Sequence, residues 1–170
     1  MGIKRKNIDI AADIVRNILS LKVPISVSDL CSVINEKLPG CCMADSKLPV
    51  DAEIKPIEQG KRFEIKYRAD KPDTRILFSI AHEMGHLVLH LLNQDGTLRE
   101  NEVLQRNRER SEKELEANEF AAAFLMPEDE FIEKCRKHMD GNKVNVTKVA
   151  KDFNVSVQAA TVRGNVLELW

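Results

Sequence analysis

Residues 78–90, FSIAHEMGHLVLH, place three of the chain's four histidines inside one strongly apolar stretch. An apolar run of this length with 3.6-residue spacing predicts a helix packed deep in a core. A buried helix that carries imidazoles and a carboxylate is costly unless those groups find partners. Few arrangements satisfy them all at once, so this segment restricts the rest of the fold more than any other.

His82-Glu83-Met84-Gly85-His86 has the pattern HExxH. On a helix, residues four apart lie ~40° apart around the axis and ~6 Å apart along it. Two imidazoles at that spacing can hold one metal ion, with Glu83 beside the open coordination position. The alternative is a core helix whose histidines are satisfied by ordinary hydrogen bonds. His90 is a tempting third ligand, but it lies ~12 Å along the axis from His82 on a continuing helix. The longer pattern HExxHxxGxxH also fails, because Leu89 and Leu92 stand where it requires Gly and His. His90 is therefore expected to pack beside the metal or support its ligands. The third ligand is sought in SEKELEANEFAAAFLMP, residues 111–127. There Glu114 can bind metal while Asn118, one turn on, hydrogen-bonds a ligand histidine. Glu112 and Glu116 compete for that role, and Glu114 also reads as the partner of a Ser111 capping box. Ala117, Ala121 and Ala122 allow this helix to approach the HExxH helix closely.

The 170 residues suit one globular domain with its own core, and the net charge of −1 gives no global field for nucleic acid or anionic membrane. No apolar run reaches the ~18 residues of a membrane span. The N-terminal segment is broken by Asp9, Asp13, Arg16 and Asn17, unlike a secretory leader, and Lys6 stands where myristoylation needs Ser or Thr. Cys31, Cys41, Cys42 and Cys135 form no CxxC pair, so reduced thiols in a cytoplasmic protein are expected. A second metal site at Cys41 and Cys42 is the minor alternative.

Ile8, Ile10, Ala11, Ile14, Ile18 and Leu21 predict an amphipathic helix over 8–21. Ser26 to Asp29 resembles a capping box opening a second helix that runs to about Lys37. Within 41–70, AEIKPI and RFEIKYRA alternate as half-buried strands do, with Gly60 at the hairpin turn and Pro56 marking an edge strand. A strongly apolar helix is expected from about Arg75 to Leu92. Residues 93–112 read as an exposed connection, and a helix ending at Pro127 follows. PEDEFIEKCRKHM then reads as a helix ended by DGN, and the tail as two short helices around FNVS. Together these predict an α+β fold.

With both central blocks in view, the chain resembles the ImmA/IrrE family of zinc metallopeptidases. RILFSIAHEMGHLVLH is similar to the family's active-site helix, with Arg75 and Phe78 matching an R-x-x-F lead-in, and ELEANEFAAAFLMP to its second block. VAKDFNVSVQAATVR is similar to its helix-turn-helix-like tail, although Gly164 falls where the family has Leu and puts the last helix's end in question. The resemblance implies a mostly helical metallopeptidase domain over 1–140, with a small antiparallel sheet before the HExxH helix, and a helical subdomain over 141–170. It implies His82, His86 and Glu114 on Zn²⁺, with Mn²⁺ as an alternative metal, and Glu83 as the base. It also implies a protein substrate: a helix-turn-helix repressor or antitoxin, cleaved to relieve repression. Tyr67, the one tyrosine, is a candidate oxyanion or substrate contact, and the edge of the RFEIKYRA strand a candidate substrate rail. No small-molecule cofactor is expected. Direct DNA binding by the tail is disfavoured by Asp152 and the near-neutral charge. The competing reading is a regulatory module that binds its partner without cutting it.

Overall fold

The computed structural model describes residues 3–92, 95–98 and 108–170. Most of the expected connection 93–112 thus lies outside the described residues. The elements run α1 (Arg5–Leu19), α2 (Val27–Lys37), β1 (Gly40–Ala44), β2 (Ala52–Ile57), β3 (Arg62–Tyr67), α3 (Asp73–His86), a π-helical turn (Leu87–Leu91), α4 (Arg108–Leu125), α5 (Glu128–Lys137), β4 (Met139–Asp140), β5 (Lys143–Val144), α6 (Val146–Asp152) and α7 (Val157–Val166). The fold is α+β, with helices around a small sheet.

The sheet is mixed, with order β1-β3-β2. β2 and β3 form the expected antiparallel hairpin, with Ile54 opposite Ile65. Its turn places Glu58, Gln59 and Gly60 at positive φ. Only the glycine escapes a steric penalty there, and a side chain at 60 would also strike the Leu98 carbonyl. β1 adds to the other side of β3 in parallel, with Cys42 opposite Ile65. A purely antiparallel sheet is therefore the wrong expectation. After β1 the chain crosses β3 through residues 45–51 instead of turning back on itself. Phe63 and Ile65 of β3 are buried in the core. α2 covers β1, while α3 lies across β2 and β3.

α4 runs between α3 and α1 and supplies the centre of the core through Phe120, Ala121 and Phe124. The buried line of α1 is Ile8, Ala12, Arg16 and Leu19. Ile10, Ile14 and Ile18, expected on the core side, are 48%, 52% and 68% exposed. The error has a physical source: a charged residue holds a core position. Buried Arg16 donates to the carbonyls of Ala123 and Phe124 at 3.4 and 3.3 Å, satisfying the open C-terminal end of α4. Ser26 opens α2 with the expected capping box, reciprocated by Asp29.

α5 stops at Lys137, two residues before the expected end, because Met139–Asp140 pairs with Lys143–Val144 in a hairpin. DGN is the turn of that hairpin, with Gly141 at φ +59. α6 and α7 do flank FNVS. Arg163 of α7 is 2% exposed and donates to the Met126 carbonyl (3.1 Å) and to Asp9 (3.0 Å), fastening the tail to α4 and α1. Gly164 is required because Trp170 folds back over it: a Cβ there would sit 1.8 Å from the indole ring.

Candidate metal centre

α3 begins at Asp73 behind Pro72, two residues before the expected start and without a side-chain cap. Arg75 donates to Asp51 at 2.6 Å, which ties the lead-in of α3 to the entry of β2. Ile76, Leu77, Ile80, Ala81 and Met84 face the core, so the opposite side of the helix turns His82, Glu83 and His86 into a cleft. The cleft has a volume of about 630 Å³ and is walled by α3, α4 and β2.

Gly85 sets how closely α4 approaches. A Cβ at 85 would lie 3.0 Å from both Cα and O of Ala117 and 3.1 Å from Cβ of Phe120. With hydrogen there instead, α4 lies close enough for its acidic turn to reach the histidines. His82 Nε2 and His86 Nε2 are 3.0 Å apart. The Glu114 carboxylate stands 3.3 Å from the first and 3.5 Å from the second. One ligand atom from each residue lies within 4.8 Å of the others, so the three could hold a metal ion. Tetrahedral zinc at ~2.0–2.1 Å from each nitrogen needs the nitrogens about 3.3 Å apart, a few tenths of an ångström from what is found. The donor set fits. Two imidazoles and one carboxylate suit zinc and do not exclude manganese.

The supporting contacts fix the orientation. Asn118 Oδ1 lies 2.9 Å from His82 Nδ1 and accepts its proton, leaving the Nε2 lone pair directed at the cluster. Burial, followed by the neighbouring His82, His90 and Lys113, depresses the His86 pKa to about 3, so this ring is neutral and available as a donor. Burial, with Glu114 next in importance, raises Glu83 to about 7. The Ile54 N–H hydrogen-bonds the Glu83 carboxylate and partly opposes that rise. This link from β2 has no counterpart in the sequence motifs. It means that Ile54 turns its backbone groups away from β3, and by the period of two so do Ala52 and Pro56. Pro56, which has no N–H, thereby removes no donor from the ladder with β3.

Of the three glutamates in competition, Glu114 alone converges on the histidine pair. Glu116 is buried, pairs with His90 at 3.6 Å and accepts from the Ile3 N–H. Glu112 is absent from the cluster. Ser111 lies inside α4, which begins at Arg108, and not at the start of the helix as a capping box requires. His90 sits on the π-helical turn, closed by Leu92 N–H to Leu87 O at 3.0 Å. Its Nε2 meets the Lys113 carbonyl at 3.2 Å, beside the cluster and not in it. His138 pairs with Asp152 at 2.9 Å, away from the site.

Two expectations fail here. Tyr67 does not line the cleft; it hydrogen-bonds Cys31 and packs against the core. β3 is the central strand and has no free edge, so the strand along the cleft is β2. The cysteines also form no metal cluster among the described residues.

Residues 53–165 match the family model of the IrrE N-terminal-like domain, peptidase family M78. The chain belongs to this family. The match runs from β2 through α7 and so includes both blocks of the candidate site. Among solved structures, this chain is similar in fold to a Mycobacterium tuberculosis transcriptional regulator, with a TM-score of 0.64 at 16% identity. That likeness covers 93% of this chain and 46% of the other, so this chain spans about half its length. No curated protein matches. Membership of the family makes this a metallopeptidase-type domain.

Proposed function

We propose that this protein is a metal-dependent endopeptidase, using zinc or alternatively manganese, that cuts a partner protein. The observation that carries the reading is the position of Glu83. A carboxyl group raised to about 7 stands next to three convergent metal donors and is held by the backbone of the strand along the cleft. A pure binding module has no use for such a base.

The reaction assigned is peptide-bond hydrolysis. His82, His86 and Glu114 would hold a divalent metal, which would supply Lewis acidity there. Glu83 takes a proton from the attacking water and returns it to the leaving amine, and a pKa near the working pH suits both transfers. Asn118 keeps His82 in the tautomer that donates through Nε2. An extended substrate segment adds to the outer edge of β2, where Ala52 and the Ile54 carbonyl offer backbone partners. The substrate favoured is a helix-turn-helix repressor or antitoxin, as the family resemblance implies. A cytoplasmic setting accords with such a partner. No helix among the described residues is long and apolar enough to cross a membrane.

The test is incubation of the metal-loaded protein with the repressor encoded beside its own gene, with chelator and Glu83→Gln controls. Discrete fragments from the wild type alone support the proposal and locate the cut. An intact repressor that co-purifies with both proteins favours the binding module.

A further inference from the structure

Cys31 on α2 and Cys42 on β1 take no part in the metal cleft, yet the fold brings them together. Their Sγ atoms are 3.0 Å apart, about 1 Å beyond the ~2.05 Å of a disulfide bond. The approach is built by a neighbour. Asn35, one helical turn after Cys31, accepts from the Cys42 N–H at 2.8 Å and reaches the Cys42 carbonyl at 3.5 Å. Both backbone groups of Cys42 are thus held against α2 on the turn that follows Cys31. Tyr67 completes the group by hydrogen-bonding Cys31. The two sulfurs differ in access: Cys31 is half-buried, whereas Cys42 is 6% exposed. Cys41 is adjacent in sequence, but strand alternation points it to the other face of β1.

We propose that Cys31 and Cys42 form a two-electron oxidation site, in which a hydroperoxide oxidises Cys31 and Cys42 then closes a disulfide between α2 and β1. In the first step the Cys31 thiolate attacks one peroxide oxygen. The S–O bond forms, the O–O bond breaks, and the departing oxygen leaves as hydroxide or alkoxide, which takes up a proton to become water or alcohol. In the second step the Cys42 sulfur attacks the Cys31 sulfenic acid. The S–S bond forms, and the sulfenic oxygen leaves as water with the Cys42 proton. Two thiols are oxidised and one peroxide is reduced. The local fields suit these roles. The hydrogen bond from Cys42 is the main influence holding the Cys31 thiol below its ordinary pKa, with Tyr67 helping and burial opposing. The same contact, together with burial, holds Cys42 protonated. Low pKa and access mark the attacking thiol, and a buried neighbour serves as the resolving one. A buried Cys42 also disfavours cross-linking between molecules. β1 lies on the opposite side of β3 from β2, so the disulfide forms at the far edge of the sheet from the cleft strand.

The test treats the full metal-loaded chain with hydrogen peroxide and reads intact mass, peptide maps and trapping by a sulfenic-acid reagent. The expected product has lost the mass of two hydrogens, maps to Cys31–Cys42 and returns to the starting mass with dithiothreitol. Cys42→Ser accumulates a trapped sulfenic acid at Cys31, and Cys41→Ser behaves as wild type. Cys31 is expected to react roughly tenfold faster than Cys135, whose thiol burial pushes up. Circular dichroism confirms that each variant is folded, and Cys42→Ala repeats the trapping if the serine variant is not. A product that maps to Cys41, a sulfenic acid trapped first at Cys42, or oxidation of Cys31 no faster than Cys135 overturns the proposal. None of these readouts depends on proteolysis.

Discussion

Glu83 should weaken the metal-free protein that contains it. Its carboxyl is raised from an ordinary 4.5 to about 7, chiefly by burial and next by Glu114. A displacement of about 2.5 in pKa, at ~1.36 kcal/mol for each, amounts to about 3 kcal/mol of native-state destabilisation once the group is ionised. The sign follows from which state binds the proton more tightly. Below about pH 4.5 both native and unfolded states hold it, and Glu83 contributes no pH-dependent difference. Between about 4.5 and 7 the unfolded chain releases the proton while the native one keeps it, so stability falls as pH rises. Above about 7 the native carboxylate is charged as well, and the full cost is present.

Glu83→Gln removes that charge and keeps an oxygen to accept from the Ile54 N–H. Urea unfolding in the presence of a chelator, at about pH 5 and about pH 8.5, reads the difference. The variant is expected to gain about 3 kcal/mol on wild type at the higher pH and much less at the lower one. His86, depressed to about 3 by burial, destabilises both proteins equally on acidification and cancels in the comparison. A divalent metal beside Glu83 should shrink the advantage, because a nearby cation favours the carboxylate. An equal offset at both pH values would falsify the assignment of Glu83 as a desolvated, strained acid.

Three further outcomes are expected. Gly85→Ala forces the Ala117 backbone away, since a Cβ at 85 would lie 3.0 Å from it; a stability loss of about 1–3 kcal/mol by urea unfolding is expected, together with weaker zinc uptake by titration. Asn118→Ala leaves the fold intact but removes the partner of His82 Nδ1, and calorimetry should show metal affinity reduced about 10–100-fold. Gly164→Ala expels Trp170 from its seat on α7, and the fluorescence of this single tryptophan should shift to the red, with the metal site unaffected.

What the sequence made legible were features whose cause is local. The capping box of α2 is written in Ser26 and Asp29, the hairpin turn in Gly60, the edge character of β2 in Pro56, and the approach of α3 and α4 in the alanines of α4. The illegible features depend on partners distant in the chain. Arg16 reads as a surface charge until the carbonyl ends of α4 are placed beside it, so apolar spacing alone points to the wrong face of α1. The parallel addition of β1 depends on a crossover that no pattern of two marks. Tyr67 lies on a strand near the active helix, but alternation along β3 puts it with Phe63 and Ile65, toward Cys31. The link from Ile54 to Glu83 involves a backbone N–H, and no residue type announces that.

The same close packing that completes the core also brings the ligands together. Glu114 is on α4 and the two histidines are on α3, and the helices meet where Gly85 faces Ala117. One turn further along α4 the contact is carried by Phe120 and Ala121, both fully buried. The apolar contact therefore fixes the distance at which Glu114 meets the histidines before any ion is bound. With His82 Nδ1 turned to Asn118, its Nε2 faces that of His86 at 3.0 Å, and the oxygens of Glu114 stand beside them. The cluster thus gathers more acceptor atoms than donors. A cation resolves that excess, whereas a purely structural helix pair would have no reason to create it.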